Sequence, residues 1–230
     1  MKTWIKTGLA IAGLLSAGVV AHGQTAPATA KLTLQHKRWQ ADIDAFAAED
    51  RLHAPEPGGV LFVGSSSIRL WHSLQAQFKH VRVVQRGFGG SRLLDCAEHV
   101  RELVVPYKPR LVVLYAGDND LVEGRSPHDV MASLRAFVEG VRSALPGTRI
   151  AYMSIKPSPL RAALIPQVRE ANGLAHAYMA GDPELTYVDV FTAMLDAQGQ
   201  PRQELFQADA LHLNELGYAV WRAALSDVVK

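Results

Sequence analysis

Ser66, Asp209 and His212 have the side-chain types of a nucleophilic catalyst. Ser66 follows an apolar run and precedes a stretch with helical spacing, so its hydroxyl would lie at a strand-to-helix turn. Helix N-terminal amides point outward at such a turn and can stabilise an oxyanion. The three-residue spacing of Asp209 and His212 lets a carboxylate orient an imidazole that accepts a proton. Each signal has a simpler explanation, because serines often cap helices and a lone Asp-x-x-His can be a surface pair.

Two loops between these residues carry glycine and amide groups. Residues 86–91 read RGFGGS, and glycines at a strand end let backbone approach a ligand closely, although a plain turn is the alternative. Residues 117–120 read GDND, where Asn119 could cap the next element or direct its amide at an oxyanion. The two aspartates of this loop make only a weak metal site. The glycine loop lacks the spacing of a dinucleotide-binding loop.

The elements that must position these groups alternate along the chain. Short, β-branched apolar runs, typical of buried parallel strands, lie at residues 60–63, 81–84, 111–115, 149–153 and 185–188. Helical candidates lie at residues 33–50, then near 67–76, 91–104, 127–144, 160–180 and 214–229. This alternation predicts an α/β fold with a parallel sheet covered on both faces. Because ligands bind at the carboxyl ends of such strands, we expect the serine, the glycine loop and Asn119 to meet at one pocket.

Composition excludes several classes of protein. Apolar residues make up 48% of the chain and charged residues 20%, which favours a large core over disorder. The formal net charge is +2, and Lys2 and Lys6 account for it, so a chain without residues 1–23 would be near neutral. That balance argues against binding to a nucleic-acid backbone. Cys96 is the single cysteine, which excludes an intrachain disulfide and a Cys-rich zinc site, and we expect it to be buried and inert.

The first residues have the features of a signal peptide. Lys2 and Lys6 precede an uncharged, mostly apolar stretch at residues 8–20, and small residues occupy positions 21 and 23, where a signal peptidase reads them. The apolar stretch is shorter than the roughly 20 residues of a membrane span. We therefore expect a cleaved signal peptide, with an uncleaved anchor as the alternative.

Taken in order, the four sequence blocks resemble those of the SGNH hydrolases, also called the GDSL esterase family. The blocks read VLFVGSSSIRLW from residue 60, RGFGGS, GDND and DALH. By this resemblance the nucleophile is Ser66, the oxyanion groups include Gly90 and Asn119, and the last block supplies Asp209 and His212. The resemblance covers nearly the whole chain from Val60 onward.

One position departs from the family pattern. The family usually has aspartate before the nucleophile, and here that residue is Ser65. Three serines therefore follow one another at residues 65–67. Chemistry alone does not choose among them, and the alignment chooses Ser66. Spacing favours Asp209 as the partner of His212 over a neighbouring acid such as Asp189.

The resemblance implies a three-layer αβα sandwich with a flavodoxin-like five-stranded parallel sheet. It implies a serine ester hydrolase that needs no metal and no cofactor. In that mechanism Ser66 attacks the ester carbonyl, His212 accepts the serine proton and Asp209 orients His212. The backbone N–H groups of Ser66 and Gly90 and the side chain of Asn119 hold the oxyanion.

These expectations give a domain organisation and a location. We expect a signal peptide at residues 1–23, a leader and an N-terminal helix at 24–54, and an SGNH hydrolase domain at 55–230. The mature protein would be periplasmic or secreted, without stable membrane insertion. Its partner would be a small-molecule or glycan ester rather than a nucleic acid.

The expected substrate is a short acyl group, foremost acetyl, on a carbohydrate or another small ester, because no long insertion supplies a lid. A lysophospholipase or thioesterase is the alternative, in which Trp71 and Phe88 could contact an acyl chain, although such aromatics more often simply pack. The segment 156–159, with Leu160, Leu164 and Ile165, could line the pocket or simply pack. Two further alternatives are a non-catalytic glycan-binding module and a nucleotide-binding flavodoxin-like protein.

Overall fold

Apolar, β-branched runs of four or five residues form a parallel sheet at the centre of the computed structural model, which describes Met1 and residues 38–230. The strands are β1 Val60–Gly64, β2 Val83–Gly87, β3 Leu111–Tyr115, β4 Arg149–Met153 and β5 Leu185–Val188. Their order across the sheet is β2-β1-β3-β4-β5, and all four pairings are parallel. This is the flavodoxin-like order of doubly wound sheets, so the predicted fold class is confirmed.

Helices cover both faces of this sheet. In the described part of the chain they are α1 Gln40–Leu52, α2 Ser66–Arg69, α3 Leu74–Gln77, α4 Leu93–Glu98, α5 Val100–Leu103, α6 Asp118–Val122, α7 Pro127–Ala144, α8 Ile165–Met179 and α9 Glu215–Leu225. Short 3-10 segments lie at Val105–Tyr107, Pro159–Leu164, Thr192–Met194 and Gln203–Leu205. Side chains that alternate along each strand enter two separate apolar clusters, as expected of a sheet buried on both sides.

The second strand lies further along the chain than the apolar run at 81–84 predicts. β2 includes the polar residues Gln85 and Arg86, and the Arg86 side chain is almost fully buried. Its guanidinium donates to the Tyr107 hydroxyl at 2.7 Å and pairs with Asp50 of α1. Buried charges persist where they are paired, and such distant partners are not visible in the local sequence.

Two predicted helices are each divided in the structure. The stretch at 67–76 contains the single-turn helices α2 and α3, and the stretch at 91–104 contains α4 and α5, which meet at His99. Apolar spacing persists across one turn of helix, so the pattern does not locate such breaks. The N-terminal helix predicted from residue 33 begins at Gln40 in the structure, and residues 33–37 lie outside the described residues.

The carboxyl ends of the first three strands lie level with one another. In the registers of the sheet, Gly64 at the end of β1 pairs with Gly87 of β2 on one side and with Tyr115 of β3 on the other. The chain passes from β1 to β2 and then crosses back to β3, so β1 and β3 flank the topological switch point. Crevices at such points are where open α/β sheets bind ligands.

Gly64 is required for the turn that follows β1. Its φ of +150° is rarely adopted by other residues, and a Cβ atom at this position would lie 1.9 Å from the Tyr115 carbonyl oxygen. The Ser65 N–H donates to that same carbonyl at 3.0 Å. Since the chain can pass this close to β3 only without a side chain, Gly64 fixes the point at which α2 begins.

None of the helices in residues 38–230 is long and apolar enough to cross a membrane. The predicted signal peptide at 1–23 and the predicted leader up to residue 37 lie outside the described residues, apart from Met1. The division of the chain after residues 23 and 54 therefore stays a prediction.

We expect Gly64→Ala to lower the free energy of unfolding by about 3 kcal/mol or more, because the added methyl group clashes with backbone at a strained φ. Gly173→Ala is the matched control, since a Cβ there meets no atom within 4 Å. It should raise stability by about 0.5–1 kcal/mol through helix propensity in α8. Urea denaturation followed by circular dichroism measures both, and a Gly64→Ala protein as stable as the parent would contradict this account.

Candidate active site

The turn after β1 separates three adjacent serines. Ser65 precedes α2 and Ser67 lies inside it, and both side chains are about 1% exposed. Within residues 38–230 their hydroxyl oxygens make no hydrogen bond. Ser66, the first residue of α2, is less buried, and its Oγ lies 3.0 Å from Nε2 of His212. Of the three hydroxyls, this one is paired with the imidazole.

A short loop orients the His212 ring. Asp209 Oδ2 lies 2.6 Å from His212 Nδ1, while Asp209 Oδ1 accepts the backbone N–H groups of Leu211 and His212 at 3.0 and 2.9 Å. Ala210, between them, has a left-handed φ of 55°, which a non-glycine residue adopts only under local constraint. The carboxylate therefore fixes both the loop and the ring.

The ionisation of Asp209 follows from these contacts. Burial acts to raise the pKa of its carboxyl, but the His212 ring and the two backbone N–H groups outweigh that effect and lower the pKa to about 2. Asp189, the other acid weighed from the sequence, instead accepts the Thr192 N–H at 3.0 Å. Asp209 is thus the acid that contacts His212.

The three side chains form one continuous hydrogen-bonded path. When Nδ1 of His212 carries a proton shared with Asp209, Nε2 is free to accept the Ser66 hydroxyl proton. A hydroxyl that can lose its proton in this way can attack an electrophilic carbon. The geometry is therefore competent for acyl transfer.

Two backbone N–H groups lie beside this path. Ser66 is the first residue of α2, so its N–H has no acceptor within the helix, and Gly90 follows the end of β2 with a positive φ of 84°. Among the described residues, neither N–H takes part in the turn and loop hydrogen bonds of the backbone. Both N–H groups are therefore candidates to donate to an oxyanion at the carboxyl edge of the sheet.

Asn119 does not cap a helix, although one interpretation of the sequence assigns it that role. It lies inside α6, and Gly117 occupies the position before that helix. Its side-chain Nδ2 donates to the Ser91 carbonyl at 2.9 Å, and its Oδ1 accepts from Arg161 at 3.0 Å. The amide is therefore held beside the Gly90 loop with a second N–H left to donate.

The two aspartates beside Asn119 have other partners than a metal. The buried Asp118 binds Lys156 at 3.1 Å and Arg161 at 2.9 Å. Although burial opposes ionisation, the two cations hold the pKa of Asp118 below its usual value. In the described part of the chain, no group of three or more His, Cys, Asp or Glu side chains is arranged to hold a metal ion.

Asp120 anchors the start of the helix that follows the glycine loop. Its Oδ2 accepts the Leu93 N–H at 2.7 Å, and Arg125 Nε lies 3.3 Å from Oδ1 without the alignment of a hydrogen bond. The side chain is fully buried, and this burial raises the pKa of the carboxyl to about 6.

The aromatic and cysteine side chains singled out in the sequence are buried. Trp71 and Phe88 are both fully buried, so they offer no surface to an acyl chain. Trp71 stacks on Tyr218 with ring centroids 5.1 Å apart, and Phe88 packs edge-on against Trp39 at 5.3 Å. Of the two readings that the sequence leaves open for these aromatics, the structure shows packing, because both face the apolar cores. Cys96 is also fully buried, as expected, and burial raises the pKa of its thiol.

The segment after β4 has a role that its sequence did not reveal. Lys156 is buried against Asp118 rather than lining a pocket. Leu160 is 63% exposed, and its N–H donates to the Ala210 carbonyl at 3.0 Å, inside the loop that carries Asp209 and His212. Only the structure shows these contacts, since the partners are about 40 to 50 residues apart in the chain.

Comparison with known proteins identifies relatives of this chain. The model of the GDSL-like lipase/acylhydrolase family matches residues 58–220. A GDSL esterase/lipase of Oryza sativa subsp. japonica is 26% identical in an alignment 200 positions long, which covers 71% of this chain and 75% of the rice protein. The family match includes all five residues singled out for catalysis from the sequence.

Solved structures share the fold at lower identity. A protein of Streptococcus pneumonia, whose description refers to platelet activating factor, has a TM-score of 0.75 at 22% identity, covering 89% of this chain and 100% of its own. A carbohydrate esterase family 3 protein of Talaromyces cellulolyticus has a TM-score of 0.61 at 16% identity, covering 74% of this chain and 95% of its own. These likenesses establish the fold.

The pKa of Asp120 gives a testable pH dependence. A folded pKa near 6, above the ordinary 3.8, means that this carboxyl favours folding when protonated, and that this contribution is lost as pH rises through 6. Asp120→Asn keeps an acceptor for the Leu93 N–H and cannot ionise. Between pH 4 and pH 7.5 we expect the variant to gain roughly 1–3 kcal/mol relative to the parent, measured by urea denaturation at both values. If the free energies of unfolding of the parent and the variant change equally between the two pH values, the raised pKa of Asp120 is contradicted.

Proposed function

Since the chain belongs to the GDSL-like lipase/acylhydrolase family and is an ester hydrolase, we propose that it acts through a catalytic triad of Ser66, His212 and Asp209. The observation that carries this proposal is the hydrogen-bonded path from Ser66 Oγ to His212 Nε2 at 3.0 Å and from His212 Nδ1 to Asp209 at 2.6 Å. The serine and the histidine are 146 residues apart in sequence, so a chance contact of capping residues is a poor explanation of this geometry.

In the first half of the reaction, Ser66 Oγ attacks the ester carbonyl carbon while His212 Nε2 takes the hydroxyl proton. The tetrahedral intermediate collapses when the imidazolium returns that proton to the leaving alcohol, and an acyl group remains on Ser66. In the second half, His212 takes a proton from water, the hydroxide attacks the acyl-enzyme, and the proton returns to Ser66 as the acid leaves. Water and ester are the only reactants consumed.

Asp209 serves this cycle as a carboxylate. With a pKa of about 2, it stays ionised at neutral pH. It therefore stabilises the imidazolium that forms in each half-reaction and holds the ring in the productive tautomer.

The developing oxyanion would be held by the N–H groups of Ser66 and Gly90 and by the Asn119 side chain. These donors come from the segments that directly follow β1, β2 and β3, and the carboxyl ends of those strands are level in the sheet registers. Donors fixed in place before the reaction stabilise the transition state without reorganising, and one such donor is commonly worth about 10²- to 10³-fold in turnover.

For the substrate, we propose a short acyl group, foremost acetyl, on a carbohydrate or another small ester. Support comes from the polar contacts of the proposed site, where Arg161 binds Asn119 and Asp209 binds His212. Trp71 and Phe88 are buried, so neither ring is exposed to a long acyl chain. The carbohydrate esterase among the structural neighbours is consistent with this choice. A longer-chain lysophospholipase or thioesterase is the outcome to test against.

Because the chain is an ester hydrolase, the non-catalytic and nucleotide-binding alternatives are set aside.

The proposed location is the periplasm or the extracellular space. The support for this location is the sequence of residues 1–23, in which two lysines precede an apolar stretch and small residues, as in a signal peptide. Export would bring the enzyme to glycan esters outside the cytoplasm.

Replacing each of the three adjacent serines in turn tests the nucleophile. Ser66→Ala should lower kcat for p-nitrophenyl acetate by about 10⁴- to 10⁶-fold, because Ser66 is the hydroxyl that contacts His212 within the described residues. Ser65→Ala and Ser67→Ala are matched controls whose hydroxyls make no hydrogen bond in residues 38–230, and we expect them to stay within a few-fold of the parent. Loss of activity in Ser65→Ala or Ser67→Ala with retention in Ser66→Ala would overturn the assignment.

A series of p-nitrophenyl esters tests the proposed acyl group. For the parent enzyme, kcat/KM should be highest for acetate and should fall as the acyl chain lengthens, because the buried Trp71 and Phe88 offer a longer chain no contact. Each esterase assay is paired with Ser66→Ala to subtract uncatalysed hydrolysis. A maximum at chains of eight carbons or more would transfer the proposal to lipid esters.

A further inference from the structure

We propose that Arg161 is a positioning residue that fixes the Asn119 carboxamide in the one orientation from which it can donate to the oxyanion. The proposal rests on the oxyanion hole proposed above. It concerns a residue of the 3-10 turn Pro159–Leu164, outside the four sequence blocks that suggested the catalytic residues.

The chemistry of the two neighbours dictates the orientation of the amide. Arg161 can only donate hydrogen bonds, and its Nη2 lies 3.0 Å from Asn119 Oδ1. The Ser91 carbonyl can only accept them, and it lies 2.9 Å from Asn119 Nδ2. Rotating the amide by half a turn would place N–H against N–H and oxygen against oxygen. Arg161 and Ser91 together therefore exclude the flipped amide, in which an oxygen would face the oxyanion.

Arg161 is itself held by the residue before Asn119. Its Nη1 donates to Asp118 Oδ2 at 2.9 Å, and the same oxygen binds the buried Lys156 at 3.1 Å. The planar guanidinium thus spans two consecutive residues of α6, with one nitrogen on each. A lysine ammonium is a single point charge and cannot reproduce this fork.

The contact also affects the strength of the donor. A cation on the amide oxygen draws electron density from the amide nitrogen, which makes its remaining N–H a better donor. This effect grows as negative charge develops on the substrate oxygen. It should therefore change the rate of the chemical step more than the binding of the neutral ester.

The same turn is tied to the other half of the site. Leu160, the residue before Arg161, donates its N–H to the Ala210 carbonyl at 3.0 Å. Ala210 lies between Asp209 and His212. Through two adjacent residues, the turn after β4 thus contacts both the oxyanion asparagine and the loop that orients the histidine.

A double-mutant cycle between Arg161 and Asn119 tests the proposal. We expect Arg161→Ala to lower kcat for p-nitrophenyl acetate by about 10- to 100-fold, part of the value of one oxyanion donor, with KM changed less than about threefold. In an Asn119→Ala background the same substitution should change kcat by less than about twofold, because its target is gone. Arg169→Ala is the control, since that guanidinium lies over the Phe191 ring rather than on Asn119, and it should keep parental kcat.

Several results would overturn the proposal. Independent, multiplicative effects of the two substitutions would show that Arg161 does not act through Asn119. A rise in KM with unchanged kcat would make it a substrate-binding residue instead. If Arg161→Ala does not fold by circular dichroism, the cycle is repeated with Arg161→Lys, which keeps a cation for Asp118 but cannot hold both partners and should show the same coupling to Asn119.

Failure of the proposed catalytic triad would be recognised by a different set of rates. If Ser66→Ala retains the parental rate, the triad is wrong and the cycle has no meaning for catalysis. If Ser66→Ala is inactive while Arg161 and Asn119 act independently, the triad stands and only the positioning role is lost.

Discussion

The close approach of two backbones at the end of β1 determines how this molecule is built. Gly64 passes so near the Tyr115 carbonyl that a Cβ atom would lie 1.9 Å from it, and its φ is +150°. The chain can therefore leave β1 only by turning at this glycine, and α2 begins two residues later. That turn places Ser66 at the switch point between β1 and β3 and leaves the hydroxyls of Ser65 and Ser67 without partners in the described structure.

The site joins two parts of the chain that are held by different means. The proposed oxyanion donors follow β1, β2 and β3, and the hydrogen bonds of the sheet keep those strand ends level. His212 comes from a loop beyond the last strand, which is closed by its own bonds to Asp209 and by the bond from Leu160 to Ala210. Since a hydrogen bond weakens steeply with distance, the 3.0 Å contact of Ser66 with His212 depends on both parts being fixed.

Local pattern predicted the elements whose signals are local. The predicted bounds are those of the structure for the strands at 111–115, 149–153 and 185–188 and for the helix at 127–144. At the start of that helix, Ser126 accepts the Asp129 N–H in a capping box, which is a signal visible in sequence. What the pattern missed depends on distant partners. Arg86 belongs to a strand because Tyr107 and Asp50 pair with it, and Arg161 acquires its place through Asn119, which is 42 residues away.

The most direct test of the central claim is to find which serine becomes acylated. The parent protein is treated with a fluorophosphonate, which forms a stable adduct on an activated serine, and the modified residue is located by peptide mass spectrometry, with the protein inactivated by heat as the control. The account predicts one adduct, on Ser66, formed only by the folded protein and in step with the loss of esterase activity. An adduct on Ser65, on Ser67 or on a serine outside this turn, with the activity lost in proportion, would contradict it.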